Sequence, residues 1–245
     1  MIESNQFLER FRTLSRDIQN SLQNLQKQTE VLKKCSGPAD IEKVSVGINE
    51  VAEYWQDFAG WVLISTLDDA DEARKNCAAG RLDIQSKIMR VKHKRRRDLA
   101  SIGLKLDIKG VPNIVVDTYI PYFEQLLDLL VSNCIKYSPK GGAMEISASM
   151  QGAVCKICFS SIGPLVANHE KASLGTKGFR SEAARKLTMS GDGYGLFNVL
   201  RIADLIGANV SFYPQTRTNM DFGGVPYANF EVTISVPTSL KFKPS

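Results

Sequence analysis

Three glycines at alternate positions, Gly191, Gly193 and Gly195, could bring the backbone close to an anion. A glycine has no Cβ atom to hold a ligand away, so a Gly-x-Gly-x-Gly segment allows close approach. The residues from 196 to 207 have the apolar spacing of a helix, whose first turn offers free N–H groups to a phosphate. Such a segment is also typical of an ordinary turn before a helix. A dinucleotide-binding fold is disfavoured because no strand precedes the glycines.

Asn133 is the second residue that could take part in binding. The apolar residues before it recur at helical spacing, which places this amide near the end of an amphipathic helix, and Lys136, Tyr137 and a Pro-Lys-Gly-Gly turn follow. An asparagine in that position commonly satisfies the backbone groups of the helix end, and this interpretation stays open beside a binding role. The apolar positions are Phe123, Leu126, Leu127, Leu130 and Val131.

Residues 125–142 resemble the N-box of the histidine-kinase and Hsp90-like ATPase superfamily, a helix that ends in Asn and lines a nucleotide pocket. Residues 191–196 resemble the second glycine box of the same superfamily, and residues 178–181 resemble its lid, whose arginine reaches the nucleotide phosphates. The resemblance covers residues 80–237. It implies a Bergerat-type α/β sandwich with ATP and Mg²⁺ as cofactors. The binding residues that it implies are Asn133 (also the Mg²⁺ ligand), Lys136, Tyr137, Ser161, Gly163, Arg180, Gly191, Gly193, Gly195 and Leu196.

The first glycine box departs from the superfamily. Where relatives have Asp-x-Gly-x-Gly after a strand, this chain has Ser161, Gly163 and Leu165. The superfamily Asp accepts the adenine amino proton, and a hydrogen bond to a charged group contributes about 1.5–3 kcal/mol. Ser161 is therefore expected to weaken ATP binding by about ten- to a hundredfold. Leu165 adds bulk where the superfamily has glycine, so we expect it to intrude on the base.

Two further positions lack the superfamily's chemistry. Leu129, four residues before the N-box asparagine, offers neither an oxygen to Mg²⁺ nor a general base. Residues 15–22 resemble the phosphoacceptor box with Arg16 at the histidine position, and a guanidinium stays protonated and cannot accept a phosphoryl group. The histidines of the chain, His93 and His169, lie outside the N-terminal helices. No catalytic residue is therefore assigned.

The N-terminal elements follow from apolar periodicity. Residues 1–67 predict two helices around a loop with Gly and Pro, because apolar residues recur every three or four positions. A hairpin of this kind leaves an apolar stripe on each helix, so we expect a homodimer through residues 3–66 that forms a four-helix bundle. Packing of both stripes against the rest of the chain is the alternative. Residues 68–80 are polar and end in glycine, which predicts a linker that contains at most one helical turn.

Residues 81–245 mix helices and strands, which predicts an α+β fold with one sheet face covered by helices. A broken stretch is expected from residue 160 to 193. The predicted elements are a helix over 80–101, strands at 104–108 and 114–117, the helix of Asn133, strands at 144–150 and 154–159, a helix over 194–205, and strands at 209–213 and 230–236.

Composition narrows the class of protein. The chain has 245 residues, 43% of them hydrophobic, which is enough for one good core and a smaller module. It has no apolar run that could cross a bilayer, no signal-peptide layout, and five cysteines in no regular framework, so we expect a cytoplasmic protein without membrane contact. Cys155 and Cys158 point to opposite faces of a predicted strand, which disfavours a metal site.

The net charge of +5 is concentrated in the basic run, residues 90–97. The simplest interpretation is a solvated helix face, with a site for an acidic partner or nucleic acid as the alternative. No aromatic residue interleaves the run, so platforms for stacking single-stranded bases are not indicated and nucleic acid is a disfavoured partner.

Three hypotheses follow. The first is a dimeric, degenerate histidine-kinase-like signalling protein with weak or no ATP binding, which acts by docking a response-regulator receiver domain or another kinase. The second is an enzyme that holds ATP and Mg²⁺ through Asn133, Lys136, Tyr137, Arg180 and the glycine loop and transfers phosphate to a partner. The third is a basic adaptor that binds nucleic acid through the basic run. The substituted positions favour the first.

Overall fold

The computed structural model divides the chain into two units, Met1–Ser65 and Thr66–Ser245. It describes residues 62–240 except 76, 78, 111–112, 188–191 and 216–219, together with residues 20, 27, 47–48, 51, 55 and 58–60. Apart from those few positions and residues 62–67, the expected helical hairpin and its dimer interface lie outside the described residues. Arg16 and Gly191 lie outside them too, so the expectations for these residues stay predictions.

The second unit contains helices and strands in alternation along the chain. The described helices are α1 (Ala70–Lys75), α2 (Ile84–Lys94), α3 (Arg96–Ser101), α4 (Ile120–Tyr137), α5 (Glu182–Leu187) and α6 (Gly195–Leu205), with 3-10 helices at Thr66–Asp68 and Asn168–Ser173. The described strands are β1 (Ala79–Asp83), β2 (Lys105–Lys109), β3 (Val115–Tyr119), β4 (Ala143–Gln151), β5 (Val154–Pro164), β6 (Asn209–Pro214), β7 (Met220–Phe222) and β8 (Val225–Pro237).

The main sheet is mixed. Its strands lie in the order β2-β4-β5-β8-β6, and β7 pairs with β8. Strand β2 runs parallel to β4, while the remaining pairs are antiparallel. Strands β1 and β3 form a separate antiparallel pair. This arrangement confirms the α+β fold that the sequence predicts for the second unit.

Helices cover one face of the main sheet. Along β5, Cys155, Ile157 and Phe159 are buried, while Lys156 and Cys158 between them are partly exposed, as expected for a strand with one covered face. Fully burying a large apolar side chain contributes about 1.5–3 kcal/mol. The interface between α4 and the sheet is therefore a main source of stability. The buried apolar positions of α4 are Tyr122, Phe123, Leu126, Leu127, Leu130, Val131 and Cys134.

The structure differs from the linker expected at residues 68–80. This segment holds part of a 3-10 helix, all of α1 and the start of β1, and it belongs to the second unit. The hydroxyl groups of Thr66 and Tyr122 lie 2.7 Å apart, and Arg74 Nε donates to the Leu205 carbonyl at 3.1 Å. Asp68 also pairs with Arg201 at 2.6 Å. Two of the polar residues that suggested a linker, Asp68 and Arg74, therefore attach this segment to α6, while Thr66 just before it contacts α4.

The helix expected from residue 80 begins instead at Ile84, because β1 precedes it. Strand β1 pairs with β3 in a register that places Leu82 opposite Val116, and both side chains are buried. Asp83 then caps α2, since its carboxylate accepts from the Ser86 N–H at 2.7 Å.

No helix among the described residues is long and apolar enough to cross a lipid bilayer.

Replacing Thr118 with valine is expected to raise the free energy of unfolding by about 1 kcal/mol, because an unsatisfied buried hydroxyl is removed at nearly constant shape. Thr118 is 0% exposed, and its Oγ1 atom has no hydrogen-bond partner in the structure. Urea unfolding followed by circular dichroism measures the change. Thr66→Val, which removes a hydroxyl that does have a partner, is the control and should lower stability. A loss of stability in Thr118→Val would contradict the prediction.

Candidate functional site

Asn133 on α4 and Gly195 on α6 meet, although 62 residues separate them in the chain. The two helices pack side by side. A Cβ atom added to Gly195 would lie 3.7 Å from Asn133 Oδ1, which is an ordinary contact distance. Asn133 is partly buried, so its side chain remains partly open to solvent. The first turn of α6 and this amide therefore share one location, as the two sequence motifs require.

Lys136 and Tyr137 lie at the end of α4. Lys136 is exposed, and its ammonium lies 5.4 Å from the centroid of the Tyr137 ring. The helix ends at Tyr137, and the N–H of the capping residue Ser138 donates to the Cys134 carbonyl at 2.9 Å. Because residues three apart on a helix are neighbours, Lys136 stands on the same side as Asn133. A cation thus lies one turn from the Asn133 amide on α4.

Ser161 is the residue that the sequence resemblance aligns with the adenine-binding Asp, and this alignment stays a prediction. It is buried on β5, and its hydroxyl makes a hydrogen bond with the Cys134 thiol of α4. Burial raises the pKa of the Cys134 thiol to about 11, and the hydrogen bond to Ser161 offsets this only in part. The thiol is therefore protonated at neutral pH. A protonated thiol and a hydroxyl therefore lie together between α4 and β5.

The first glycine box is part of a strand, so the broken stretch expected from residue 160 is wrong at its start. Strand β5 continues to Pro164, because β8 pairs with it as far as Tyr227. Gly163 lies opposite Ala228 in this pairing, and the Leu165 N–H donates to the Pro226 carbonyl at 2.8 Å. Proline interrupts a strand least at its end, which is where Pro164 stands.

Leu165 packs against a small apolar cluster, which we call the satellite core. Its buried members are Ala183 of α5 with Val225 and Tyr227 of β8. The partly buried side chains that pack on it are Ile162, Leu165, Leu187 and Met220. Leu165 thus has an apolar environment of its own. The expectation that it intrudes on the base stays a prediction.

Arg180 lies just before α5. Its Nη2 atom donates to the Ala184 carbonyl at 2.8 Å, and Arg185 Nε donates to the Arg180 carbonyl at 2.9 Å. The guanidinium is therefore engaged with the backbone of α5, and contact with a phosphate would require it to turn. Its role toward phosphate stays a prediction. His169 is exposed in the 3-10 helix beside this segment.

The second glycine box is described from residue 192 onward. Gly193 has φ +74° in the turn before α6. The ring of Tyr194 lies 5.8 Å from the Lys177 ammonium, measured to the ring centroid, and edge-on to Phe197. Leu196 is partly buried in the first turn of α6. Gly193, Gly195 and Leu196 therefore surround the N-terminus of an 11-residue helix.

Asp128 and Glu124 of α4, which pair with the basic run, were not predicted from the sequence. Asp128 on α4 is only 6% exposed. Its carboxylate accepts hydrogen bonds from Arg95 Nε at 2.8 Å, from Arg95 Nη2 at 2.5 Å and from Lys94 Nζ at 3.0 Å. One turn earlier, Glu124 pairs with Lys87 at 2.7 Å and with Arg90 at 3.1 Å. Much of the run therefore holds α2 against α4 and is not simply a solvated face.

A signal for this arrangement was present in the sequence. Glu124 and Asp128 are four residues apart, so they lie on one side of a helix that is otherwise mostly apolar. Acids on such a helix are rarely buried unless they are paired. Asp128 also adjoins Leu129, and its carboxylate is already bound by Arg95 and Lys94.

A metal ion would depend on the nucleotide for most of its ligands. No group of three or more His, Cys, Asp or Glu side chains in the described part of the chain is arranged to hold one. Asn133 Oδ1 is an oxygen of the kind that Mg²⁺ accepts, and Leu129 supplies none. This donor set fits a Mg²⁺ ion that arrives with phosphate oxygens.

Comparisons with known proteins agree with this geometry. Residues 119–239 match the model of the family described as histidine kinase-, DNA gyrase B-, and HSP90-like ATPase. The signal transduction histidine-protein kinase BaeS of Escherichia coli (strain K12) is 27% identical over 142 residues, which are 58% of this chain and 28% of BaeS. The sensor-like histidine kinase SenX3 of Mycobacterium bovis is 30% identical over 131 residues, 54% of this chain and 32% of SenX3. The chain thus spans about a third of these relatives' length.

Solved structures share the fold. The catalytic domain of histidine kinase ThkA superimposes with a TM-score of 0.53 at 14% identity, over 66% of this chain and 97% of that domain. Full-length ShkA, solved in complex with AMPPNP, superimposes with a TM-score of 0.56 at 16% identity, over 97% of this chain and 46% of ShkA. The match over residues 119–239, with which the fold and the meeting of Asn133 with Gly195 agree, identifies this part of the chain as a histidine-kinase-like domain of the histidine kinase-, DNA gyrase B-, and HSP90-like ATPase family.

Proposed function

We propose that this chain is a degenerate histidine-kinase-like signalling protein that binds ATP and Mg²⁺ weakly or not at all. The proposal rests on the place where the adenine base of ATP would bind. There, Ser161 is buried against Cys134, and the strand that contains it stays paired with β8 through Pro164. A hydroxyl bound to a neutral thiol is a poorer acceptor for an adenine amino group than a free carboxylate.

The phosphate end supports a residual affinity. Asn133, Lys136 and the first turn of α6 are the groups that would hold the phosphates, and Asn133 Oδ1 would reach the Mg²⁺ ion. ATP, when bound, would supply a transferable phosphoryl group. Leu129 offers no base to activate an acceptor, and Asp128 beside it is bound by Arg95 and Lys94. These side chains favour binding without transfer.

In this proposal the chain acts by contact. The apolar stripes of residues 3–66 form a homodimer, and the dimer docks a receiver domain or another kinase in a two-component pathway. The matches to BaeS and SenX3 support a place in signal transduction. The second candidate is an ATP- and Mg²⁺-dependent phosphotransferase, which the contact between Asn133 and Gly195 favours.

Titration of the chain with ATP and Mg²⁺ in a calorimeter tests the proposal. For the unchanged chain we expect no heat, or a dissociation constant near millimolar. Ser161→Asp should improve the affinity about ten- to a hundredfold, because a hydrogen bond to a charged acceptor contributes about 1.5–3 kcal/mol. Ser149→Asp adds the same charge at an exposed position opposite Lys156 and should change nothing.

Micromolar binding by the unchanged chain would contradict the proposal and favour the phosphotransferase. If a folded Ser161→Asp variant binds ATP with unchanged affinity, Ser161 is not the cause of the weak binding.

A further inference from the structure

From here on the lid means residues 167–187, a longer segment that includes residues 178–181 and lies between the first and second glycine boxes. Its two parts are tied together by the carboxylate of Glu170, a residue only 9% exposed. Glu170 Oε2 accepts from the Ala167 N–H at 2.9 Å, and Oε1 accepts from the Glu182 N–H at 2.8 Å. Hydrogen bonds to an ionised acceptor are about twice as strong as neutral ones. Glu170 therefore holds the start of the lid to the start of α5.

Helix α5, the last part of the lid, is seated in the satellite core. Its Ala183 is buried with Val225 and Tyr227, and Leu187 packs on the same cluster. Tyr227 also stacks edge-on with Phe222, at 5.1 Å between ring centroids. The lid helix is therefore held by apolar contacts to the β7–β8 hairpin.

The middle of the lid rests on α6 and β6. Gly175 is buried with φ +81°, and a Cβ atom built on it would collide with Leu200 and lie 3.2 Å from the Phe212 ring. Only a glycine allows the lid to come this close. The lid thus contacts the helix whose N-terminus would receive phosphates.

The lid backbone also fills the space beside Gly193. A Cβ atom on Gly193 would lie 2.5 Å from the Gly178 carbonyl carbon, 2.6 Å from its oxygen and 2.8 Å from the Phe179 oxygen. By contrast, the nearest atom to a Cβ on Gly195 is Asn133 Oδ1 at 3.7 Å. Because Gly193 has no side chain, the carbonyl groups of Gly178 and Phe179 can pack against it. Their partly negative oxygens lie at the glycine loop and disfavour the binding of an anion there.

We propose that Glu170 latches the lid closed and that the closed lid is autoinhibitory. Phosphates reach Gly193 only after Gly178 and Phe179 have moved off it. The inference rests on the proposed function in one respect, that the pocket between α4 and α6 is a nucleotide site. The latch itself is a property of the nucleotide-free protein.

Glu170→Gln tests the latch, because a carboxamide has one accepting oxygen and cannot accept from both N–H groups. Amide hydrogen exchange is measured on the full chain without nucleotide, comparing lid peptides with a β5 peptide that includes Ile157. We expect exchange in the lid to accelerate at least tenfold and the β5 peptide to be unchanged. Affinity for ATP and Mg²⁺ should rise by a similar factor, since the competent fraction of the protein rises.

Glu182→Gln is the matched control, because it removes one charge from the same lid at an exposed carboxylate paired with Lys186. It should alter neither readout. Leu187→Ala, which loosens α5 in the satellite core, is a second variant in case Glu170→Gln does not fold, and it should act in the same direction.

Unchanged lid exchange in both folded variants would overturn the latch. Faster lid exchange with unchanged or undetectable nucleotide affinity would overturn the autoinhibition. Micromolar affinity of the unchanged chain would contradict the proposed function alone, because the exchange measurement contains no nucleotide.

Discussion

Asp128→Ala is expected to lower the free energy of unfolding by about 3–5 kcal/mol, because breaking a buried ion pair leaves uncompensated charge behind. The side chains of Arg95 and Lys94 are 15% and 18% exposed, so the two cations would lose their partner in a largely buried place. The loss would loosen α2 from α4, the helix that carries Asn133. Urea unfolding followed by circular dichroism at 222 nm measures it.

Glu124→Ala provides a matched control one turn earlier on the same helix. Glu124 also pairs with two cations, but its side chain is 29% exposed and that of Arg90 is 66% exposed. Pairs screened by solvent contribute about 0–1 kcal/mol. Equal losses in the two variants would contradict the claim that burial makes the Asp128 cluster the stronger one.

The same cluster predicts a pH dependence. Burial by itself would raise the pKa of Asp128, but its hydrogen bonds and charge interactions with Arg95 and Lys94 outweigh this and lower it. A carboxyl group with a lowered pKa in the folded state stabilises the fold above its unfolded pKa of about 3.9. The contribution is lost as the pH falls through the lower, folded-state pKa. The stability gap between the unchanged chain and Asp128→Asn should therefore be constant from neutral pH to about pH 5 and shrink below about pH 4.

Gly175→Val is expected to cost about 2–5 kcal/mol, which combines a left-handed conformation at about 1–2 kcal/mol with overpacking at about 1–3 kcal/mol. Leu200 can turn its terminal methyl group away, but its Cγ atom at 3.3 Å and the Phe212 ring at 3.2 Å remain. Because the lid is a peripheral segment, the cost should appear as local release. Amide exchange in residues 167–187 should accelerate about 30-fold or more.

Gly152→Val is the control for backbone strain. Gly152 also has a left-handed φ, +60°, in the turn between β4 and β5, but nothing lies within 4 Å of the position where its Cβ would be. Gly152→Val should lower stability only by the cost of the left-handed conformation, about 1–2 kcal/mol, and amide exchange in the lid should not change. If Gly175→Val were no worse than Gly152→Val, the close packing of the lid on α6 would be refuted.

Sequence reasoning succeeded where neighbours in the chain carry the information. The helix of Asn133 was predicted because its apolar residues repeat at helical spacing, and the helix after Gly195 for the same reason. Both lie under a sheet whose strands alternate apolar and polar residues. These local patterns fixed the elements that bring Asn133 and Gly195 together.

Sequence reasoning failed where distant residues decide. Strand β1, Ala-Gly-Arg-Leu-Asp, has little strand propensity and exists through pairing with β3. Ser161 to Pro164 looked like a break because Gly and Pro stand there, yet β8 pairs with them. Glu124 and Asp128, which pair with the basic run from α4, are more than 30 residues from their partners in sequence. The sequence of a single helix or strand therefore does not reveal these partners.

The position of β8 in the sheet bears on how the second unit folds. It is the last described strand in chain order, yet it lies between β5 and β6 and also pairs with β7. Pro237 pairs with Val154, which lies 83 residues earlier in the chain. Pairs of residues this distant in sequence form slowly, because a long loop must close first. During synthesis, β5 and β6 present open edges until residues 225–237 have left the ribosome. A nascent chain that stalls before residue 225 would therefore carry two aggregation-prone strand edges instead of a smaller folded domain.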